Sequence, residues 1–325
     1  MRIIISIILL ITVGYAVDKT GTSAAKFLSI KSGSRAMGMG GAFTAVATDG
    51  STMAWNPAGI ARLNGNTYYM EHSKWLVDIY HNYLGFTFKN GSHSAWGMNY
   101  IALGMPEMQV TRYGEENTGE TFRAGSWALG ITWAVNLTHR FSIGFNGKYI
   151  RETISRSYVN GAALDVGTLF NTIYGPVLGM SISHFGPKMQ MQGADLLVTT
   201  DDVSNNPDIN ADLSTEKFNL PLTLRFGISN IHNFDSITLL WAVDAVSPMD
   251  NAEYVNTGLE IMFFNRAYLR SGLSSLFLPN SESVLNLGAG VELNLFGHHG
   301  LQLDYAYEVM RYLNDVHKFS LSINR

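Results

Sequence analysis

Charged residues recur at alternate positions within otherwise apolar runs: Lys148, Asp165, Arg225, Asp244, Glu260, Arg270, Glu292, Asp304 and Glu308. In an extended chain such spacing puts each of them on one face, opposite Leu, Val, Ile and Tyr. Mixed charges gathered on one side of a sheet support two kinds of chemistry. They can form a polar pathway or ligand-headgroup site, or a mutually paired network that holds an internal segment whose backbone amides need partners. A second constellation lies in the small-residue stretch 33–61, where Gly38, Gly40, Gly41 and Phe43 precede Asn56-Pro57. These six are the candidate binding residues of that stretch. Gly38-Met39-Gly40-Gly41 lacks a preceding strand and a Lys-Ser/Thr pair, so it is no nucleotide loop. The nine His are scattered with no H-E-x-x-H spacing, and no G-x-S-x-G occurs. The sequence therefore assigns no catalytic residue, no metal and no cofactor, and the reading is of a protein that is not an enzyme.

The elements that carry the charged residues read as strands. In 126–137, Trp127, Leu129, Ile131, Trp133, Val135 and Leu137 alternate with Ser, Ala, Gly, Thr and Asn. The runs 284–295 and 301–309 alternate as cleanly. Lengths near ten residues fit a tilted strand crossing a bilayer, whereas strands of a soluble sheet are nearer five or six. The same reading gives about fourteen strands, near 66–73, 79–89, 92–103, 122–137, 140–152, 160–173, 176–184, 218–232, 236–246, 254–264, 266–276, 284–295, 300–310 and 317–325. Connections after even-numbered strands are tight. Most of those after odd-numbered strands are longer, as in 104–121, 153–159, 185–217, 247–253 and 277–283. That rhythm belongs to an all-β transmembrane barrel of antiparallel strands with both ends on one side. A charge facing lipid at mid-depth costs about 2–4 kcal/mol for Arg or Lys, so the nine charged residues should point into the lumen. The aromatics Tyr68, Tyr69, Tyr80, Tyr83, Trp127, Tyr149, Trp241, Tyr254, Tyr268 and Tyr312 are expected at headgroup level near strand ends.

Composition agrees: 15% of the 325 residues are charged and 46% hydrophobic, with 32 Gly and no Cys. A net charge of −4 gives no nucleic-acid footprint. Arg2, the apolar run Ile3–Val13 and Gly14-Tyr15-Ala16 read as a signal peptide, residues 1–16. Residues 17–65 then form an N-terminal hatch or plug with short helices, and 66–325 the barrel. The expected location is the outer membrane of a Gram-negative-type bacterium, in contact with outer-membrane lipid. The longest connection, 185–217, opens with Met189, Met191, Leu196, Leu197 and Val198 and turns acidic at Asp201, Asp202, Asp208 and Asp212. Its apolar half either caps the barrel or docks a partner.

The runs Gly21–Leu28, Gly33–Phe43 and Trp55-Asn56-Pro57-Ala58-Gly59, together with the closing His317–Ile323, resemble the PorV/PorQ family, which is similar to FadL-type outer-membrane proteins. The FadL side of the resemblance implies a fourteen-stranded barrel plugged by an N-terminal hatch, with Asn56, Pro57 and Ala58 in the hatch. The PorV side implies a part in type IX secretion, with a protein partner that is either exported cargo or a translocon. The alternative that the FadL side implies is uptake of hydrophobic small molecules such as long-chain fatty acids.

Overall fold

The computed structural model describes residues 21–114, 118–200, 209–264, 266–295 and 299–325. The expected signal peptide, 1–16, lies outside them. Fourteen strands form the wall: β1 Thr67–Lys74, β2 Tyr80–Asn90, β3 Ser94–Gly104, β4 Ala124–Asn136, β5 Phe141–Ile154, β6 Ser157–Asn171 and β7 Val177–Phe185, followed by β8 Thr223–Asn233, β9 Ile237–Pro248, β10 Tyr254–Phe263, β11 Ala267–Leu276, β12 Ser283–Leu295, β13 His299–Met310 and β14 Val316–Asn324. Each pairs antiparallel with its sequence neighbours, and β1 pairs with β14 from Thr67↔Asn324 to Lys74↔His317. The ring is closed, so no strand edge is left open.

The wall is inside-out relative to a soluble sheet. In β4, Leu129, Ile131 and Trp133 are exposed, while Ala128, Thr132 and Ala134 are buried. In β12, Leu285, Leu287, Val291 and Leu293 face outward and Asn286 is buried. In water so continuous an apolar belt would be a liability. In hydrocarbon it is the low-energy arrangement, because every ladder N–H and C=O is already paired around the ring.

Three expectations need correction. The connection read as 153–159 is a two-residue turn at Ser155 and Arg156, because β5 and β6 stay paired as far as Ile154↔Ser157. Ser155 takes the positive φ of 53° that so tight a turn demands. Tyr69 and Tyr83 do not lie at headgroup level. They share the inward parity of Glu71 and Gly85, are 1% and 0% exposed, and meet edge-to-face at 5.8 Å. Finally, the 185–217 connection is a folded hairpin in its described part. Met189–Gln190 pairs with Lys217–Phe218, and Leu197–Thr200 with Ile209–Asp212. Asp201, Asp202 and Asp208 of its acidic half lie outside the described residues.

Candidate functional site

Residues 21–63 lie within the ring, and the site is the contact between this segment and the wall. Short helices suit it. Helix Ser34–Gly38, helix Thr52–Trp55 and the 3₁₀ turn Pro57–Arg62 satisfy their own backbone locally, and their side chains are mostly small.

Two glycines let the backbone press directly on the wall. Gly40, at φ +66°, sits where a Cβ on either Gly40 or Gly272 of β11 would come within 3 Å of the facing segment's backbone. Gly38 faces Gly288 of β12, and a Cβ on Gly38 would lie 3.1 Å from its Cα. The carbonyl oxygen of Gly41, a residue at φ +80°, accepts from Asn256 Nδ2 at 3.3 Å. The wall answers with inward glycines of its own. Gly85, Gly144, Gly167, Gly179 and Gly227 each leave a space that a Cβ would close to under 3 Å from the inner segment.

Polar groups then fix the segment at chosen points. Phe43 is fully buried, lies edge-to-face on Trp55 at 6.2 Å and has the Arg35 guanidinium over its ring. Its backbone N–H and that of Thr44 donate to Asp244 Oδ2 at 2.9 and 2.8 Å. Asn56 acts as a buried bracket: Nδ2 donates to the carbonyls of Thr44 and Thr168, both at 2.9 Å, and Oδ1 accepts from Ala58 N. Pro57 needs no N–H partner at the first position of the 3₁₀ turn, and its carbonyl region rests on Gly144.

The charged residues fall into linked groups. Glu260 accepts from Arg35 Nε and Nη2 at 2.8 and 2.7 Å and from Arg270 Nε at 2.6 Å. Arg270 also donates to Asp304 at 2.6 Å. Lys31 pairs with Glu308. Lys148 pairs with Asp165, which also accepts the backbone N–H of His184 at 2.8 Å. Two residues stand apart from these pairs. Arg225 lies over the Trp55 ring and donates to Ser183 at 3.0 Å. Glu292 points inward but accepts from Tyr268 and meets none of the others. Within the inner segment, burial pushes the Asp49 carboxyl above the usual carboxylate range, against the pull of Arg35 and two hydrogen bonds from Ser51.

Sequence reasoning missed Lys31, Arg35, Glu71 and Lys318. Lys318 Nζ donates to Glu71 Oε1 at 2.8 Å, and Glu71 Oε2 accepts the backbone N–H of Gly33. Both lie on strands whose alternation was legible, so inward parity was the available signal. Among the described residues no group of three or more His, Asp or Glu is placed to hold a metal ion.

The ring and its contents define a class, the antiparallel fourteen-stranded barrel whose lumen holds the chain's own N-terminal segment. Comparison places the chain beside others of that class. The monoaromatic hydrocarbon channel CymD superposes with a TM-score of 0.58 at 13% identity, covering 90% of this chain and 96% of that one. The toluene transporter TodX of Pseudomonas putida gives 0.58 at 11% identity, over 94% and 98%. A FadL homologue of Pseudomonas aeruginosa gives 0.56 at 10%, over 95% and 99%. At such identities the likeness is one of fold. The profile of an uncharacterised protein family (UPF0164) matches residues 13–152. No curated protein matches the sequence.

Proposed function

We propose that this chain is an outer-membrane channel for small hydrophobic molecules, held closed by its inner segment acting as a hatch. The observation that carries this reading is an apolar cavity of about 180 Å³ at the end of the barrel away from Asn66 and Arg325. Ile79, Leu103, Met105, Ile154 and Met191 line it, with Glu152 as its one carboxylate among the described residues. A volume of that order holds a benzene-sized molecule. The hydrocarbon channels named above share the fold, which supports the same class of cargo. Residues 1–16 then act as the export signal, and the mature N-terminus is Val17.

The PorV-like reading, in which the 185–217 connection docks a secreted protein, needs the apolar half of that connection on the surface. Met189 is instead 2% exposed, packed with Phe27 and Leu28 inside the barrel, and of the five apolar residues only Leu197 is exposed. That favours a cap over a docking site.

Liposomes carrying the purified protein test the proposal. Toluene should equilibrate faster than in protein-free vesicles, and Leu103→Glu should abolish the gain. Equal rates with and without protein, together with no toluene binding in detergent, would refute it.

A further inference from the structure

Apart from Arg225, which lies over the Trp55 ring, the interior cations follow a rule with two exceptions. Lys31, Arg35, Lys148, Arg270 and Lys318 each face a carboxylate. Arg62 and Lys89, at the end of the barrel where Asn66 pairs with Arg325, have no carboxylate within ion-pair distance among the described residues. Arg62 is partly buried, and every acceptor it meets is neutral. Nε donates to Ser142 Oγ at 2.7 Å, Nη2 to the carbonyls of Arg140 and Leu169 at 2.9 and 2.8 Å, and Nη1 to Asn171 Oδ1. Lys89 Nζ donates to the carbonyl of Ala61. Neutral acceptors satisfy N–H groups without neutralising the charge, and burial with no opposing charge lowers the Arg62 pKa.

The two cations open into one pocket. It has a volume of about 1190 Å³ and is lined by Arg62, Lys89, His93, Asn136, His139 and Asn171, with no Asp or Glu side chain among the described residues of its walls. Asn136 ties them together: Nδ2 donates to the Ala61 carbonyl at 2.9 Å, and Oδ1 accepts from Ser142 Oγ at 2.6 Å. Lys89, Ala61, Asn136, Ser142 and Arg62 are thus one hydrogen-bonded arc. By donor count it keeps one N–H of Nη1 and two of Nζ unused.

We propose that this pocket binds an oxyanion of the phosphate or carboxylate class, held between Arg62 and Lys89 with His93 and His139 at its rim. The proposal is independent of what crosses the barrel, because it rests on the end of the lumen opposite the apolar cavity. The oxyanion has two possible sources, a lipid headgroup at the membrane surface or a free anion in solution.

Calorimetry on the full chain in dodecyl maltoside, with lysophosphatidate, monooleoylglycerol and inorganic phosphate as probes, separates these sources. Lysophosphatidate should bind at least tenfold more tightly than monooleoylglycerol. Arg62→Gln and Lys89→Gln should each weaken it about tenfold, the effect of one charged hydrogen bond. Ser92→Asp puts a carboxylate on the pocket wall, leaves every hatch contact in place, and should weaken binding as much. Arg123→Gln, at the opposite end, should change nothing. Inorganic phosphate binding with the same pattern assigns a free anion, and lysophosphatidate binding alone assigns a lipid headgroup. No preference for lysophosphatidate with no phosphate binding, or binding that survives Lys89→Gln and Ser92→Asp, overturns the proposal.

Discussion

Glu260→Gln asks most directly how firmly the hatch is held. The Glu260 carboxylate takes three hydrogen bonds, two from Arg35 of the hatch and one from Arg270 of the wall, between 2.6 and 2.8 Å. Glutamine keeps the shape but removes the charge, leaving two buried guanidinium groups with no carboxylate in contact but Asp304 on Arg270, Asp49 attracting Arg35 only from a distance. Breaking a buried pair from one side costs about 3–5 kcal/mol, and the wall's hydrogen-bond ladder is untouched. The cost therefore falls on the closed hatch, and its transient opening should rise about 100- to 5,000-fold. The chain has no Cys, so a single Cys at Ala42, which is fully buried, reports opening without background. Maleimide labelling of Ala42→Cys should be slow, and the added Glu260→Gln should accelerate it by at least about 100-fold while the barrel keeps its heat-modifiable gel mobility. Adding Arg35→Gln, which removes one stranded charge, should restore part of the protection. Labelling unchanged within threefold in a folded barrel would refute the view that ion pairs hold the hatch.

Three further outcomes follow from the same geometry. Asn56→Ala removes three hydrogen bonds, roughly 3 kcal/mol at about 1 kcal/mol each, and should raise Ala42→Cys labelling about 100-fold. Gly272→Val drives a side chain into the Gly40 backbone, which has no room to yield. Its Ala42→Cys reporter should label freely, and wild-type protection would show that the wall is more pliable than drawn. Ile131→Arg places a charge on the outward face of β4 and should cost about 2–4 kcal/mol in a bilayer at mid-depth. Denaturant titration in lipid vesicles measures it, and no loss would mean that Ile131 does not face lipid.

The wall was legible because strand period, length and loop rhythm are local. All fourteen strands lie within five residues of the ranges read from alternation, the largest miss being the strand read from 218, which starts at Thr223, and a one-residue slip would have turned every apolar side chain inward. The exception at β5–β6 is also local: nothing in Ser155-Arg156 announces a tight turn, and pairing across it decides the matter. Parity was readable, so Glu260 and Asp304 could be set on the inner face. Partners were not. Glu260 meets Arg35 across 225 positions, and Lys318 meets Glu71 across 247. No spacing rule reaches so far. Tyr69 and Tyr83 went astray for a related reason: their chemistry suits a membrane interface, but their parity puts them inside. The wall glycines were visible as small residues, yet what they accommodate depends on where the hatch backbone runs.

The distribution of charge between hatch and wall has an electrical consequence. Lys26, Lys31 and Arg35 come from the hatch, and their partners Asp250, Glu308 and Glu260 come from the rest of the chain. Glu71 and Asp244 likewise spend their charge on hatch backbone N–H groups. A barrel deprived of the hatch keeps these carboxylates and loses three cations, with only Glu71 and Glu260 retaining wall partners, Lys318 and Arg270. Its bore would carry an uncompensated negative field, and currents through it in a planar bilayer should favour K⁺ over Cl⁻. The segment that fills the lumen thus also masks the charge of the wall around it.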